Sequence, residues 1–353
     1  MTRVDIRSTS SADEAFRWAG QQVPPDEGMF PGLVRREVGR GEFRGLEFYE
    51  VEAKRIITDV PAMSQVPFRH TINAYRGCSH ACTYCFARPT HEYLNLGVGD
   101  DFERKLVVKV NAPERLRAEL RPSRWAGAHI AMGTNTDPYQ RAEGKYRLTR
   151  RIVEVLAEHR NPFSILTKST LILSDLDLLA EAARRTEVAV NFSIGTLDEQ
   201  VWKASEPGTP HPRQRVEAVA RLNAAGVRCG VLIAPILPGL SDADEQIDDV
   251  VRACVEAGAA SISAIVLHLR PGVRDHYFEW LRGARPDLLP WYEETYGRRS
   301  YAPKRLQARI STRVQRAVER HGGTALPRTE ARRIPNPPMA ESEPPSRQLA
   351  LGL

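Results

Sequence analysis

The feature that most constrains the fold of this 353-residue chain is a repeated alternation, from Arg69 onward, of short apolar runs with amphipathic stretches. The apolar runs predict six strands, at residues 70–75, 129–133, 163–167, 188–194, 227–233 and 261–268. Helical periodicity is clearest at residues 148–159, 175–185, 211–225 and 242–257. Gly226 and Gly258 follow the last two helices, where a left-handed cap favours glycine. Strands that alternate with helices of this length form parallel sheets. We therefore predict an α/β fold, a partial (β/α)6 TIM-like barrel over residues 69–270, with functional groups at the carboxyl ends of its strands.

Four further segments flank the predicted barrel. Residues 1–28 are polar and contain a Pro-Pro pair, which predicts a loose lead-in, and residues 29–68 predict a small N-terminal extension. Residues 271–321 predict a C-terminal helical flank. Residues 322–353 are rich in Pro, Gly, Ser, Glu and Arg, a composition that predicts a disordered tail.

The C-terminal flank is both aromatic and basic. Its rings are Tyr277, Trp280, Trp291, Tyr292, Tyr296 and Tyr301. We predict that they pack over the barrel, with a base-stacking surface as the alternative. Residues 298–333 contain eleven Lys or Arg against two acidic residues. Such a segment is compatible with nucleic acid or an acidic partner, and as much with a plain solvated face.

No stretch of the sequence approaches the roughly 18 apolar residues of a membrane span. The N-terminus lacks the apolar core of a secretory signal, so we predict no membrane association and a cytoplasmic location. The five cysteines are an odd number with three of them clustered, which is a poor disulfide framework and a good metal-binding pattern in a reducing compartment. The other two, Cys229 and Cys254, are predicted to be small buried hydrophobic residues.

The clustered cysteines Cys78, Cys82 and Cys85 form a C-x3-C-x2-C motif directly after the first predicted strand. Three thiolates on one short loop can bind three irons of a [4Fe–4S] cluster and leave the fourth iron open. The alternative is a tetrahedral zinc ion held by the three cysteines and His80. The barrel that follows favours the cluster, because a zinc module does not require it.

The cysteine motif resembles that of the radical S-adenosylmethionine (SAM) superfamily, with an aromatic residue before its last cysteine. The surrounding sequence is similar to the branch that includes spore photoproduct lyase, and most similar to an actinobacterial lyase-like group within it. The resemblance spans about residues 67–268. It is carried by the motifs N-A-Y-R-G-C at 73–78, Y-C-F-A-R-P at 84–89, G-T-N-T-D-P-Y-Q at 133–140, L-T-K-S at 166–169 and A-P-I-L-P-G at 234–239.

This resemblance implies two cofactors, a [4Fe–4S] cluster and SAM, and an electron donor such as flavodoxin or ferredoxin. In such enzymes the reduced cluster cleaves SAM to a 5′-deoxyadenosyl radical, which abstracts hydrogen from a substrate. The resemblance places five residues around SAM: Tyr84 beside the adenine, Thr136 near the methionyl amino group, Lys168 at the methionyl carboxylate, Ser193 at the ribose or carboxylate, and the backbone of Ala234 at the adenine.

Some of these assignments have plain alternatives. A lysine that points into a barrel mouth needs an anion, unless Lys168 instead extends past the rim to water. Ser193 could equally be a hydrogen-bonded core serine. The hydrogen-donating cysteine of the lyase corresponds to Thr134 here. The lyase reaction is therefore not our main prediction. We expect a radical enzyme whose substrate is open, nucleic acid included. The alternatives are a zinc-stabilised nucleic-acid-binding module and an inactive adaptor barrel.

The last six residues, Gln348–Leu353, have the sequence Q-L-A-L-G-L. A glutamine followed by spaced leucines at a tethered end suits an apolar groove. The hexapeptide resembles the motif by which bacterial repair and replication proteins bind the DNA polymerase sliding clamp. Clamp binding would place the enzyme near DNA, whereas the alternative is that the leucines pack back on the barrel.

Overall fold

The computed structural model describes residues 32–326, except for 62, 63, 65, 122 and 124. The predicted lead-in at 1–28 lies outside the described residues, as does the predicted tail 322–353 from residue 327 onward, with its Gln348–Leu353 end. Residues 322–326 of the predicted tail are described and ordered, since Ala325 forms a β-bridge with Ile262. Clamp binding therefore stays a prediction from the sequence.

The described residues form eleven strands and eleven α-helices. The strands are β1 (Leu33–Val38), β2 (Glu47–Val51), β3 (Ile57–Asp59), β4 (His70–Ile72), β5 (Tyr75–Arg76), β6 (Lys105–Lys109), β7 (Ile130–Met132), β8 (Phe163–Thr167), β9 (Val188–Ser193), β10 (Arg228–Ile236) and β11 (Ile262–Val266). The helices are α1 (Asp100–Arg104), α2 (Ala112–Glu119), α3 (Glu143–Tyr146), α4 (Leu148–Glu158), α5 (Leu176–Ala183), α6 (Glu199–Ser205), α7 (Pro212–Ala224), α8 (Asp244–Glu256), α9 (Val273–Ala284), α10 (Leu289–Tyr296) and α11 (Lys304–Arg320).

The larger sheet has seven strands in the order β11-β10-β9-β8-β7-β4-β3. Its six strands from β4 to β11 are parallel, and β3 pairs antiparallel with β4 at the edge. In the part of the chain described, β3 and β11 do not pair with each other, so the barrel is open. The predicted α/β fold with a partial six-stranded barrel is confirmed.

The predicted helices are also present, because their apolar residues repeat at helical spacing. In α4, Leu148, Ile152 and Leu156 recur every four residues and are all buried. Gly226 and Gly258 follow α7 and α8 with φ of +79° and +72°, the left-handed conformation that a helix C-cap requires.

A second, four-stranded sheet has the order β1-β2-β6-β5. Strand β6, which was not predicted from the sequence, pairs parallel with β2 and antiparallel with β5. The strand predicted at residues 70–75 was wrong as one continuous element. It breaks at Asn73 and Ala74, so that β4 joins the large sheet and β5 joins the small one.

The aromatic flank packs largely as predicted. Tyr277, Tyr292 and Tyr296 are fully buried, and the hydroxyl of Tyr292 donates to the carbonyl of Pro238 at 2.7 Å. Trp291 and Tyr301 are exposed, Tyr301 by 55%. Among the described residues, no helix has the length and apolar character needed to cross a bilayer.

Candidate active site

The cysteine loop leaves the barrel after β4 and β5 and ends at the 3-10 helix Arg88–Leu94. Cys78 and Cys82 are buried, and Cys85 is partly exposed. Gly77 begins the loop with a φ of +80°, and a Cβ atom there would lie 2.9 Å from the carbonyl oxygen of Phe102. Only glycine fits this close approach, in which the Cys78 amide also donates to that oxygen at 2.9 Å.

Arg88 fixes the far end of the cysteine loop from inside the protein. Its side chain is fully buried, and its guanidinium donates twice to the carbonyl of Cys82, at 3.0 and 2.9 Å. Glu103 supplies the compensating charge through an ion pair. A buried arginine whose N–H groups donate to a backbone carbonyl holds the loop in one conformation. This role of Arg88 was not predicted from the sequence.

The thiols of the loop are suited to a metal centre. Burial raises the pKa of the Cys82 thiol to about 12, so a thiolate there needs a metal to offset its charge. The hydroxyls of Ser79 and Thr83 are buried in the same loop without a hydrogen-bond partner among the described residues. Three thiolates on one short loop can each bind a different iron of a cubane.

His80, the fourth zinc ligand of the alternative model, is directed elsewhere. Its Nδ1 lies 3.4 Å from Oδ2 of Asp137, and both side chains are buried. The Asp137 carboxylate also accepts from the backbone amide of Lys168 and the hydroxyl of Thr167, each at 2.7 Å. One carboxylate thus joins the cysteine loop to the carboxyl ends of β7 and β8.

Lys168, at the end of β8, points inward and is not extended into water. Its Nζ donates to the hydroxyl of Ser193 and lies 3.4 Å from the carbonyl of Ala234. The Ser193 hydroxyl donates in turn to that carbonyl at 2.6 Å. Lys168 also lies over the ring of Tyr84, 5.7 Å from its centroid. Four of the five predicted SAM-binding residues therefore meet at the carboxyl ends of the central strands.

The fifth, Thr136, is buried nearby on the loop after β7. Its hydroxyl donates to the carbonyl of Tyr75 at 3.2 Å. The Thr134 hydroxyl, on the same loop, pairs with the hydroxyl of Thr71 at 2.5 Å. Cys229 and Cys254 are fully buried in the main core, as predicted, and lie outside the cysteine loop.

The anion beside Lys168 is Glu206, which the sequence analysis missed. Its carboxylate lies 3.4 Å from the Lys168 Nζ and 2.6 Å from Nη1 of Arg215, and it accepts from the Tyr84 hydroxyl. Burial opposes its ionisation, but Arg215 and Lys168 outweigh burial and lower the pKa of Glu206 to about 2. Arg215 is itself buried and donates to the carbonyl of Ser193 at 3.1 Å. Glu206 lies in an S-E-P-G-T-P segment that resembles an ordinary turn, so the sequence carried no clear signal of its burial.

A cavity of about 620 Å³ opens beside the cysteine loop, between the end of β8 and the loop that follows α6. Its size is within the range of ligand-binding pockets. His80 and Thr209 form the wall nearest the buried charges. The remaining lining residues are Tyr139, Arg141, Ser169, Thr170, Leu171, Ser174, Pro207, Gly208 and Pro210.

Comparison with known proteins places this arrangement in a family. The model of the Radical SAM superfamily matches residues 72–251, which contain the whole cysteine loop and the strands from β7 to β10. An uncharacterised protein of Mycobacterium tuberculosis is 43% identical over 91% of this chain and 98% of its own length. An uncharacterised protein of Methanocaldococcus jannaschii is 30% identical over 71% of this chain and 84% of its own.

The solved structures give the same fold. Spore photoproduct lyase complexed with dinucleoside spore photoproduct superposes with a TM-score of 0.61 at 17% identity, over 79% of this chain and 80% of the lyase. This likeness concerns the fold, in which parallel strands converge on one active-site end. From the family match and the extent of the sequence identity, the chain belongs to the Radical SAM superfamily.

Proposed function

We propose that this radical SAM enzyme holds a [4Fe–4S] cluster on Cys78, Cys82 and Cys85 and uses it to generate a 5′-deoxyadenosyl radical. Superfamily membership implies SAM and an iron–sulfur cluster as cofactors and an electron donor to the cluster. The observation that carries the finer proposal is the convergence of the cysteine loop and Lys168 on one end of the sheet, where Asp137 contacts both.

The cluster and SAM, when bound, supply one-electron reductive cleavage of the sulfonium. The chain's own residues bind and orient. Lys168 would take the methionyl carboxylate, Thr136 the methionyl amino group, and Ser193 the ribose or carboxylate. Tyr84 and the backbone of Ala234 would flank the adenine.

The local charge supports an anionic ligand at Lys168. The partly buried Lys168 and the buried Arg215 share the carboxylate of Glu206. Lys168 is the more exposed of the two cations, and its ammonium can donate to a ligand carboxylate as well as to Glu206. The methionyl carboxylate of SAM is such a group.

For the substrate we propose a nucleic acid. Directly after Cys85, the ring of Phe86 is 40% exposed and lies 5.9 Å from the ring of His268, which stacks at 5.5 Å on the exposed Tyr301. The guanidinium of Arg270 lies 5.9 Å from the centroid of Phe86. Exposed rings beside an arginine can stack bases and attract phosphates. Because Thr134 replaces the lyase cysteine, and a hydroxyl is a poor hydrogen-atom donor, the reaction we propose is not thymine-dimer repair.

The experiment that tests the function is a deuterium-transfer screen. The reconstituted enzyme is incubated anaerobically with SAM, dithionite and deuterated candidate substrates. These are DNA, RNA, peptides and metabolites. Deuterium that enters 5′-deoxyadenosine from nucleic acid alone supports the proposal. Transfer from a peptide or metabolite would overturn the substrate class, and no cleavage of SAM under any condition would overturn the enzymatic function in favour of an adaptor role.

A further inference from the structure

The cavity beside the cysteine loop adjoins the residues that surround Lys168, and Thr209 in its wall is hydrogen-bonded to Arg215. Its volume of about 620 Å³ is bounded on one side by residues 169–174, after β8, and on the other by residues 207–210. None of the five predicted SAM-binding residues lines it. The predicted SAM-binding site therefore does not account for this cavity.

The wall between this cavity and the cysteine loop is very thin. His80 lies two residues from both Cys78 and Cys82, and it lines the cavity. Gly208 lines the cavity beside it, and the Gly208 amide donates to the carbonyl of His80 at 3.1 Å. A Cβ atom on Gly208 would lie only 2.2 Å from the carbonyl oxygen of Ser79. Glycine here lets the cavity floor touch the loop that carries the sulfur atoms.

On the side that faces Arg88, buried side chains cover the cysteine loop. The Arg88 side chain lies between Cys82 and the segment before α1, where it donates to the carbonyls of Val98 and Gly99 at 2.8 and 3.2 Å. Phe102 packs against Cys78 from the same side. On the His80 side, in contrast, a cavity that opens to solvent reaches the loop.

The charged side chains in and around the cavity favour a negatively charged partner. Its lining residues include no carboxylate, but they include the exposed Arg141. The Arg141 guanidinium donates to the carbonyl of Glu42, in a turn that carries the exposed Arg40 and Arg44. None of these three arginines takes part in the ion pairs found in residues 32–326, and Glu42 is the only acidic side chain between residues 40 and 44.

We propose that this cavity is the docking site of the electron donor, an acidic electron-transfer protein whose cofactor edge approaches the cysteine loop at His80 and Gly208. The inference rests on the proposed function, because it requires the cluster on the three cysteines. In each encounter the carrier is oxidised by one electron and the cluster gains that electron. Arg141 attracts and orients the carrier, and the hydroxyl-lined cavity receives its edge.

The test uses the reconstituted enzyme and compares two reductants, reduced flavodoxin and dithionite. The variant is Arg141→Glu, and the matched control is Arg228→Glu, at the opposite, amino end of β10, where the arginine is likewise exposed and outside the ion pairs described. Stopped-flow absorbance follows the reduction of the cluster. Calorimetric titration with oxidised flavodoxin measures complex formation independently of any turnover.

For Arg141→Glu we expect about tenfold slower reduction by flavodoxin at low ionic strength and weaker binding of oxidised flavodoxin. Both differences should shrink in about 0.5 M salt, which screens exposed charges. Dithionite should reduce both variants as fast as the wild type. An equal loss in Arg228→Glu, or no loss in Arg141→Glu, would overturn the docking site. A wild-type protein that dithionite cannot reduce at all would instead overturn the cluster assignment.

Discussion

The Nζ atom of Lys168 lies 3.4 Å from Oε1 of Glu206, inside the protein and beside the ring of Tyr84. Arg215 holds the other oxygen of the same carboxylate at 2.6 Å. Glu206 therefore positions the predicted SAM-binding lysine from a loop that the family motifs do not include. Three of the predictions below concern this network and the loop that carries it.

Glu206→Gln should destabilise the protein by about 3–5 kcal/mol at pH 7, because the buried Arg215 and the partly buried Lys168 both lose the carboxylate with which they form ion pairs. The effect should depend on pH. The pKa of Glu206 is about 2 in the folded protein against 4.5 as its ordinary value, so its contribution is complete above about pH 5 and lost as the pH falls toward 2. Urea unfolding of both proteins across this range measures it. A gap in unfolding free energy that stays constant from pH 7 to pH 3 would contradict the charge pairing.

Lys168→Ala should weaken SAM binding by roughly ten- to a hundredfold, the loss of about 1.5–3 kcal/mol from one charge-assisted contact. The absorbance spectrum of the cluster should not change, because Lys168 is not one of its ligands. Equilibrium binding of SAM measures the effect, with the exposed Lys203→Ala as control. Wild-type affinity in Lys168→Ala would place the lysine outside the pocket.

Gly208→Ala should loosen the cysteine loop. The added Cβ would lie 2.2 Å from the Ser79 carbonyl oxygen and 2.9 Å from Cα of His80, and backbone atoms cannot move aside cheaply. We expect a loss of about 1–3 kcal/mol in unfolding free energy and lower iron content after reconstitution. Gly283→Ala is the matched control, because its Cβ meets nothing within 4 Å. Equal iron content in the two variants would show that this contact does not support the loop.

The tail is tested as a peptide. A labelled peptide of residues 340–353 is titrated against purified sliding clamp, and the same peptide with Leu349→Ala and Leu351→Ala serves as control. We expect saturable binding in the micromolar range that the control loses, because the leucines would fill an apolar groove. Equal binding by both peptides, or none, would remove the link to DNA that the tail provides.

The barrel could be predicted from the sequence because each of its strands and helices has the local hydrophobic periodicity of its type. The run F-S-I-L-T from Phe163 to Thr167 alternates as a strand and has the predicted bounds. Strand β6 was missed because K-L-V-V-K is short, and its identity depends on pairing with β2, more than fifty residues earlier. The break at Asn73 likewise comes from the transfer of the chain between two sheets, which no local pattern records.

The residues of the site could be predicted only where they belong to a sequence motif. The cysteines and Lys168 stand in recognisable motifs, whereas Glu206, Arg215 and Arg88 are charged residues of the kind that sequence reasoning places at the surface. Their burial follows from tertiary contacts that have no local sequence pattern. Arg88 is paired with Glu103 across the cysteine loop's far end, and Glu206 accepts from Tyr84, which lies 122 positions earlier. Such pairs can be identified only from the three-dimensional structure.

The most direct test of the central claim measures iron, sulfide and SAM cleavage in five cysteine variants after anaerobic reconstitution. The wild type should bind about four irons and four sulfides per chain and, with dithionite, convert SAM to 5′-deoxyadenosine and methionine. Cys78→Ala, Cys82→Ala and Cys85→Ala should each lose the cluster and the cleavage, while Cys229→Ala and Cys254→Ala should keep both. One zinc per chain without sulfide in the wild type, or loss of iron in Cys229→Ala or Cys254→Ala, would contradict the assignment of the cluster to the loop.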